Sequence, residues 1–308
     1  MIVCITPNPA VDRTLILPQL IPGAVHRAEK VMIAAGGKGL NVARAIRILG
    51  GEPLCMGFLG GHSGRLLADL AQNEGLNSAW TWVDSETRSC TILVSPNGDA
   101  TVINESGVPV SSSYWMQLQK DAQRFVSSAG IFCISGSLPP NSSMIDLHRL
   151  LSMLVENGKQ VWVDTSGDAL HTALALPNIC VKVNGKEIGE VLGMEIKDPA
   201  SAQRALIRLG KHDLTAAVIT LGSAGAVLGT RAGRWYARGP EVDVVSTVAS
   251  GDVFLAGLVN ALNIGKAWPE VLGDAVAGGT ANTLVAGGGR FALQEFERIR
   301  EQVQVEAW

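Results

Sequence analysis

Short apolar runs, separated by stretches of helical periodicity, constrain this chain more than any other feature. They lie at residues 2–6, 54–58, 130–135, 161–165, 179–183 and 217–221. Most are rich in β-branched residues and all lack strict polar alternation, so each reads as a strand buried on both faces. Between them, residues 41–49, 66–73, 114–125, 145–155 and 202–209 repeat apolar side chains at helical spacing. This alternation specifies a parallel sheet with helices on both faces. A chain of 308 residues, 47% of them hydrophobic, has material for one large core, and we expect a single domain over residues 1–308.

Two stretches break the alternation. Residues 14–32 contain two prolines and Gly23, with loosely alternating apolar side chains. Residues 87–104 read as two strands around Pro96-Asn97-Gly98-Asp99, a strong hairpin signal. Together they predict a small antiparallel sheet standing off the main one, formed by about 13–33 and 87–105, as a lid or an oligomer surface. After Asp252 the pattern is mostly helical, ending in a polar tail.

A net charge of -3 excludes a nucleic-acid protein built on a broad basic surface. Cys4, Cys55, Cys90, Cys133 and Cys180 are odd in number and far apart, so we read them as buried thiols of a reducing cytoplasm rather than disulfides or zinc ligands. The chain opens directly into a strand, and no secretory leader is expected. The longest apolar run, residues 253–262, is too short to span a bilayer, so no membrane partner is expected.

Candidate chemistry sits where strands end. Thr247-Val248-Ala249-Ser250-Gly251-Asp252 leads into a helix, leaving backbone N–H groups free for an anion. Asp252 repels phosphate, but suits a base that takes a proton from an attacking hydroxyl; as a bare motif it reads first as an ordinary turn with an acidic residue in the first helical turn. Gly36-Gly37-Lys38-Gly39-Leu40-Asn41 permits close ligand approach or forms a plain glycine turn; it lacks the spacing of a P-loop. Asp12, just past the first strand, could hold a sugar diol or sit solvated in a proline-rich turn. In Lys182-Val183-Asn184-Gly185-Lys186-Glu187, Asn184 and Glu187 share a helical face, which suits the water shell of Mg²⁺ or a capping box. Thr220-Leu221-Gly222-Ser223-Ala224-Gly225 and Ser135-Gly136-Ser137-Leu138-Pro139 are glycine turns at further strand ends.

In order along the chain, TPNPAVD at 6–12, GGKGLNVAR at 36–44, SGSLP at 135–139, VDTSG at 163–167, KxNxxE at 182–187, TLGSAG at 220–225 and TVASGD at 247–252 resemble the signatures of the ribokinase-like, or PfkB, carbohydrate kinases. The resemblance runs end to end and is nearest the phosphosugar branch, whose opening it shares, with Arg27 and Arg88 in the lid segments. It implies a three-layer α/β/α fold with a mostly parallel central sheet and a small β-sheet lid. It also implies ATP and Mg²⁺ as cofactors, a ketohexose phosphate as substrate, and a homodimer formed through the lid. By the same resemblance Asp252 is the base, and the amides of Ala249, Ser250 and Gly251 neutralise the transferring phosphoryl group. Asp12, Gly36, Gly37, Lys38, Asn41 and Ser137 line the sugar, and Arg27 and Arg88 converge on its phosphate. Lys182, Asn184, Thr220, Gly222, Gly225 and Asn282 border the nucleotide, and Asn184 and Glu187 hold Mg²⁺ through water. The chain departs from the family's pattern at Ala249, a usual glycine that we expect at negative φ, and at Val183, a usual proline. The alternatives are a kinase of an unphosphorylated sugar or nucleoside, for which Arg27 and Arg88 are surface charges, and a non-catalytic binder that kept the fold.

Overall fold

The computed structural model describes residues 1–95 and 100–308. The chain opens with β1 (Ile2–Thr6), which feeds β2 (Ala10–Ile16) and β3 (Lys30–Gly36), followed by α1 (Lys38–Ile48). It continues through β4 (Pro53–Gly60), α2 (Gly61–Asn73), β5 (Asn77–Val83), β6 (Arg88–Val94), β7 (Ala100–Asn104) and α3 (Ser112–Gln123). A regular alternation follows: β8 (Ile131–Ser135), α4 (Met144–Glu156), β9 (Gln160–Asp164), α5 (Gly167–Leu174), β10 (Cys180–Asn184), α6 (Gly185–Leu192) and α7 (Pro199–Leu209). Next come β11 (Ala216–Thr220), β12 (Ala226–Thr230), β13 (Gly233–Arg238), α8 (Ser250–Asn263), α9 (Trp268–Asn282), α10 (Leu293–Arg300) and β14 (Gln304–Ala307).

Ten strands form the large sheet in the order β14-β13-β12-β11-β10-β9-β8-β1-β4-β5. Seven of them, β11 through β5, run parallel. All six expected strands are there, each within about a residue or two of its sequence-derived bounds. Alternate residues of each strand enter two separate cores. Cys4, Cys133 and Trp162 pack under α1, α8 and α9, while Val3, Ile5, Phe132 and Val161 pack under α3, α4, α5 and α7. That is the physical content of the continuous apolar runs: a strand with a helix on each face has no polar side to show.

The antiparallel edge was not anticipated. The polar tail expected after the helices is the strand β14, paired with β13, and Trp308 stacks on Tyr236 with ring centroids 5.2 Å apart. Its sequence, Gln-Val-Glu-Ala, alternates because only one face is covered.

The small sheet has the order β3-β2-β6-β7. Its outer pairings are antiparallel as expected, but the central pair β2 and β6 is parallel. β2 and β6 leave the C-terminal ends of β1 and β5, which already run the same way, so they emerge side by side in one direction. The hairpin turn at Pro96-Asn97-Gly98-Asp99 lies outside the described residues; the strands flanking it pair.

After β1 the chain fills one side of the large sheet with β4 and β5, then crosses to the other side for β8. A crevice opens at such a switch point, beyond the carboxyl ends of the strands, and ligands of open α/β sheets bind there.

Candidate active site

The crevice is floored by a row of polar residues, one from each strand. Thr6 ends β1, Ser135 ends β8 and pairs in register with Asp164 of β9, and Lys182 follows the paired Val181 of β10. All are buried, one pleat above the apolar row of Cys4, Cys133, Trp162 and Cys180. Thr6 Oγ1 and Ser135 Oγ have no hydrogen-bond partner among the described residues.

Two helices aim their N-termini at this floor. α1 begins at Gly37, whose φ of 119° only glycine adopts readily, and a Cβ there would meet the Thr6 methyl at 2.7 Å. α8 begins at Ala249, which takes the left-handed conformation, φ 64° and ψ 8°. This overturns the expected negative φ. Among the described residues the other non-glycines with positive φ are Asn141, Asn178 and Asp213, side-chain types that tolerate it. Ala249 has no such compensation, so the turn stores about 1–2 kcal/mol. The geometry also sorts the three amides: Ser250 N–H donates to Thr247 O at 3.3 Å, while those of Ala249 and Gly251 have no acceptor among the described residues.

Asp252 lies in the first turn of α8, buried, where its Oδ2 accepts a 2.9 Å hydrogen bond from Asn41 Nδ2 of α1. Burial pushes its carboxyl up to about 6, helped by the charge of Asp164 and opposed by Lys38, the Asn41 bond and Lys182. Asn41 is itself held: Arg44 Nη1 donates to its Oδ1 at 2.9 Å and to Gly288 O at 2.9 Å. Gly288 and Gly289 press on Asn41 so closely that a Cβ at either would clash.

Asp12 of β2 lies flat against Gly36, where any side chain would collide with its carboxylate. Burial pushes its carboxyl to about 6 against the pull of Arg44 and Arg88. Lys38 Nζ donates to Asp164 Oδ1 at 2.9 Å and stands 3.9 Å from Glu187 Oε1. Ser137 is exposed and its Oγ accepts from Asn8 Nδ2 at 3.4 Å, while the preceding Gly136 lies against the Lys38 side chain.

Asn184 and Glu187 form a complete capping box on α6: Asn184 Oδ1 accepts from Glu187 N–H and Glu187 Oε2 from Asn184 N–H, both at 2.9 Å. Oε1 of Glu187 is left facing Lys38. Thr220 is in register with Asn184, and Gly222 and Gly225, both at positive φ, turn the chain just beyond it. Asn282 is the last residue of α9. It is fully buried and donates to Arg290 O at 2.9 Å, tying down the loop that covers Asn41.

The two arginines do not converge within this chain. Arg88 pairs with Ala10 at the base of the small sheet, and its guanidinium donates to Asn8 O and Glu105 O. Arg27 precedes Lys30, which pairs with Ile16 at the far end. Six strand steps at roughly 3.3 Å each separate the two ends by about 20 Å. Sequence position could not reveal this, because the register of β2 against β3 and β6 decides it.

Asp164, Arg44 and Asn8 carry much of the site's structure and were given no role from the sequence. The VDTSG motif contained the signal for Asp164, an ionisable side chain closing a buried apolar run.

The profile of the pfkB family carbohydrate kinases matches residues 3–293. The chain belongs to this family. Its fold is ribokinase-like. It is 32% identical to a 1-phosphofructokinase of Haloferax volcanii over 273 residues, 88% of this chain and 87% of that one. It is 27% identical to a tagatose-6-phosphate kinase of Staphylococcus epidermidis, with 99% of each chain covered. The crystal structure of phosphofructokinase-2 from Escherichia coli in complex with fructose-6-phosphate superposes with a TM-score of 0.90 at 28% identity, covering 97% of this chain and 98% of that one. As a pfkB-family carbohydrate kinase the protein is a phosphotransferase with an alcohol acceptor. No helix among the described residues is long and apolar enough to cross a membrane.

Proposed function

We propose that the protein transfers the γ-phosphoryl group of ATP to a hydroxymethyl group of a ketohexose phosphate: fructose 1-phosphate, fructose 6-phosphate or tagatose 6-phosphate. The observation that carries this reading is Asp252, buried at a helix N-terminus with free amides before it and the ammonium groups of Lys38 and Lys182 nearby. Phosphoryl transfer asks a protein mainly for positioning and charge neutralisation, and this turn supplies both beside a base. The relatives named 1-phosphofructokinase and tagatose-6-phosphate kinase support a phosphorylated acceptor.

In this mechanism Asp252 accepts the proton of the sugar hydroxyl. A carboxyl near 6 is ionised at neutral pH yet more basic than an exposed one. Asn41, fixed by Arg44, holds Asp252 in place. Ala249 and Gly251 donate their free amides to the transferring group, backed by the positive end of the α8 dipole. Asp12, Gly36, Gly37 and Asn41 grip sugar hydroxyls, Arg88 takes the existing phosphate, and Ser137 and Lys38 border the acceptor. Lys182, Thr220, Gly222 and Gly225 border the nucleotide.

Mg²⁺ fits this donor set. No cluster of three His, Cys, Asp or Glu side chains exists among the described residues to cage a bare ion. Glu187 keeps one carboxylate oxygen outside its cap, which suits an ion that retains most of its waters. Asn184 and Glu187 would hold those waters, and the ion when bound neutralises phosphate oxygens. Glu187→Gln should raise the Mg²⁺ concentration for half-maximal rate; a lower Tm with unchanged Mg²⁺ dependence would leave these residues a cap alone.

We propose further that the protein is a cytoplasmic homodimer joined through the small sheets. Support comes from five free cysteines, and from the cross-strand row Met32, Thr14, Ile92 and Val102 on the same sheet face as Asp12, where Met32 and Val102 are exposed.

The experiment is a coupled ADP-release assay across the three hexose phosphates, free fructose and ribose. Turnover of a hexose phosphate with the highest kcat/KM is expected. Preference for free fructose or ribose would make the chain a kinase of an unphosphorylated sugar, a reading that Arg88's engagement with backbone carbonyls favours. Sugar-phosphate binding without turnover would make it a binder.

A further inference from the structure

Asp164 has no part in the mechanism above, yet it is the most enclosed charge in the crevice. Its side chain has no exposed surface, and its two oxygens are taken by two different lysines. Oδ1 accepts from Lys38 Nζ, arriving from the first residue of α1, at 2.9 Å. Oδ2 accepts from Lys182 Nζ, arriving from β10, at 2.7 Å. The ammonium groups are thus locked a carboxylate's width apart, although their backbones belong to different layers of the fold. Lys182 Nζ lies 2.8 Å from where a Cβ on Gly251 would stand, so the carboxylate holds this cation against the turn whose amides are free. Gly251 is the residue that leaves it room.

Stability alone is a poor reason for such an arrangement. Buried ion pairs repay little more than their desolvation cost, and apolar replacements are often as stable. Burial pushes the Asp164 carboxyl up, but Lys182 and Lys38 outweigh it and hold the group below its ordinary value. The clamp is therefore charged wherever the protein is folded near neutral pH.

We infer that Asp164 is a positioning residue, whose carboxylate clamps Lys38 and Lys182 side by side against the N-terminal turn of α8 so that both ammonium groups face the phosphoryl group in transfer. The inference rests on the kinase reading and deepens it. Free lysines would spread over many rotamers and repel each other; a shared counter-ion fixes both before substrate arrives, which is where preorganised charge gains its effect. Asp164 touches no reacting atom in this role.

Asp164→Asn keeps the shape and removes the charge. It should lower kcat by about 10–10²-fold, in line with losing a preorganised charge contact, while KM for ATP and for the sugar phosphate stay within about threefold. A second readout needs no turnover. Binding of ADP with aluminium fluoride and the preferred sugar phosphate, a mimic of the transferring group, should weaken by a similar factor in calorimetry, with ADP alone unchanged. A variant with lower Tm but wild-type kcat and mimic affinity overturns the inference, because a purely structural ion pair predicts that pattern. If Asp164→Asn does not fold, Lys182→Met and Lys182→Met/Asp164→Asn replace it. The single variant keeps the Lys38–Asp164 pair, and the double removes one charge of each sign. The double should be at least several-fold slower than the single, since Lys38 is then released too; equal rates overturn the clamp. An active wild type beside an equally active Asp164→Asn defeats this inference alone, whereas an inactive wild type defeats the kinase reading beneath it.

Discussion

The two sheets are built from comparably apolar strands, but only one of them is covered on both faces. In the large sheet, β1, β4 and β8 are buried at every position, with helices on both faces. In the small sheet, β7 is exposed along its whole length and β3 along more than half of its own, with Val31, Ile33 and Ile103 open to solvent. Soluble proteins rarely leave such surface uncovered without a partner or a ligand for it. The division matches the chemistry. In the mechanism proposed above, the large sheet and its helices supply the base, the anion turn and the lysine clamp, groups that must be rigid to work. The small sheet would supply Asp12 and Arg88, groups that must admit a sugar before they close on it.

The sharpest test is at the rigid end. Asp252→Asn should lower kcat by about 10²–10⁴-fold, the usual share of a general base. It should also raise Tm at pH 8. The folded-state carboxyl is raised from 3.8 to about 6, so its contribution to stability is present below about pH 4 and lost as pH rises through 6. Asparagine removes that penalty. For the same reason wild-type kcat/KM should fall below about pH 6 as Asp252 protonates. Normal turnover by the variant would dismiss Asp252 as the base.

Stability should divide the same way. Ile134→Ala in β8 should cost about 2–5 kcal/mol of unfolding free energy. Val102→Lys in β7 should cost under about 0.5 kcal/mol, yet shift sedimentation from dimer to monomer. Equal losses of stability would erase the distinction between the sheets.

Arg88→Ala should raise KM for the sugar phosphate by roughly 10–100-fold, the worth of a charge-assisted contact to phosphate, with KM for ATP unchanged. Because Arg88 also ties Asn8 to Glu105 at the base of the small sheet, any slow activity on free fructose separates its two roles. If that activity survives, Arg88 acts on the phosphate; if it falls in step, Arg88 only props the sheet.

The smallest effect is expected at Ala249. Ala249→Gly relieves the left-handed strain but adds freedom to the unfolded chain, leaving a gain of at most about 1 kcal/mol. A lower Tm would mean that the alanine methyl makes contacts worth more than the strain.

Sequence alone determined six parallel strands of the large sheet and the order of the chemistry along the chain. A strand covered on both faces must be apolar throughout and a helix must repeat every three or four residues, so β1, β4, β8, β9, β10 and β11 announce themselves locally. Glycine marks where the backbone must pass close to something, so the turns at Gly36-Gly37 and Ser250-Gly251 were legible too. Tertiary structure decided the rest. Whether Arg27 and Arg88 meet depends on strand register, and the pairing of β14 with β13 depends on an edge that 65 residues of intervening chain, 239–303, conceal. That Ala249 accepts a left-handed turn reflects the packing of α8 against α1, which outweighs a local preference of a kilocalorie or two. Asp164 shows the limit most clearly. Its motif was visible, but a carboxylate becomes a clamp only when β9, β10 and α1 bring two distant lysines to its two oxygens, and no local pattern encodes that meeting.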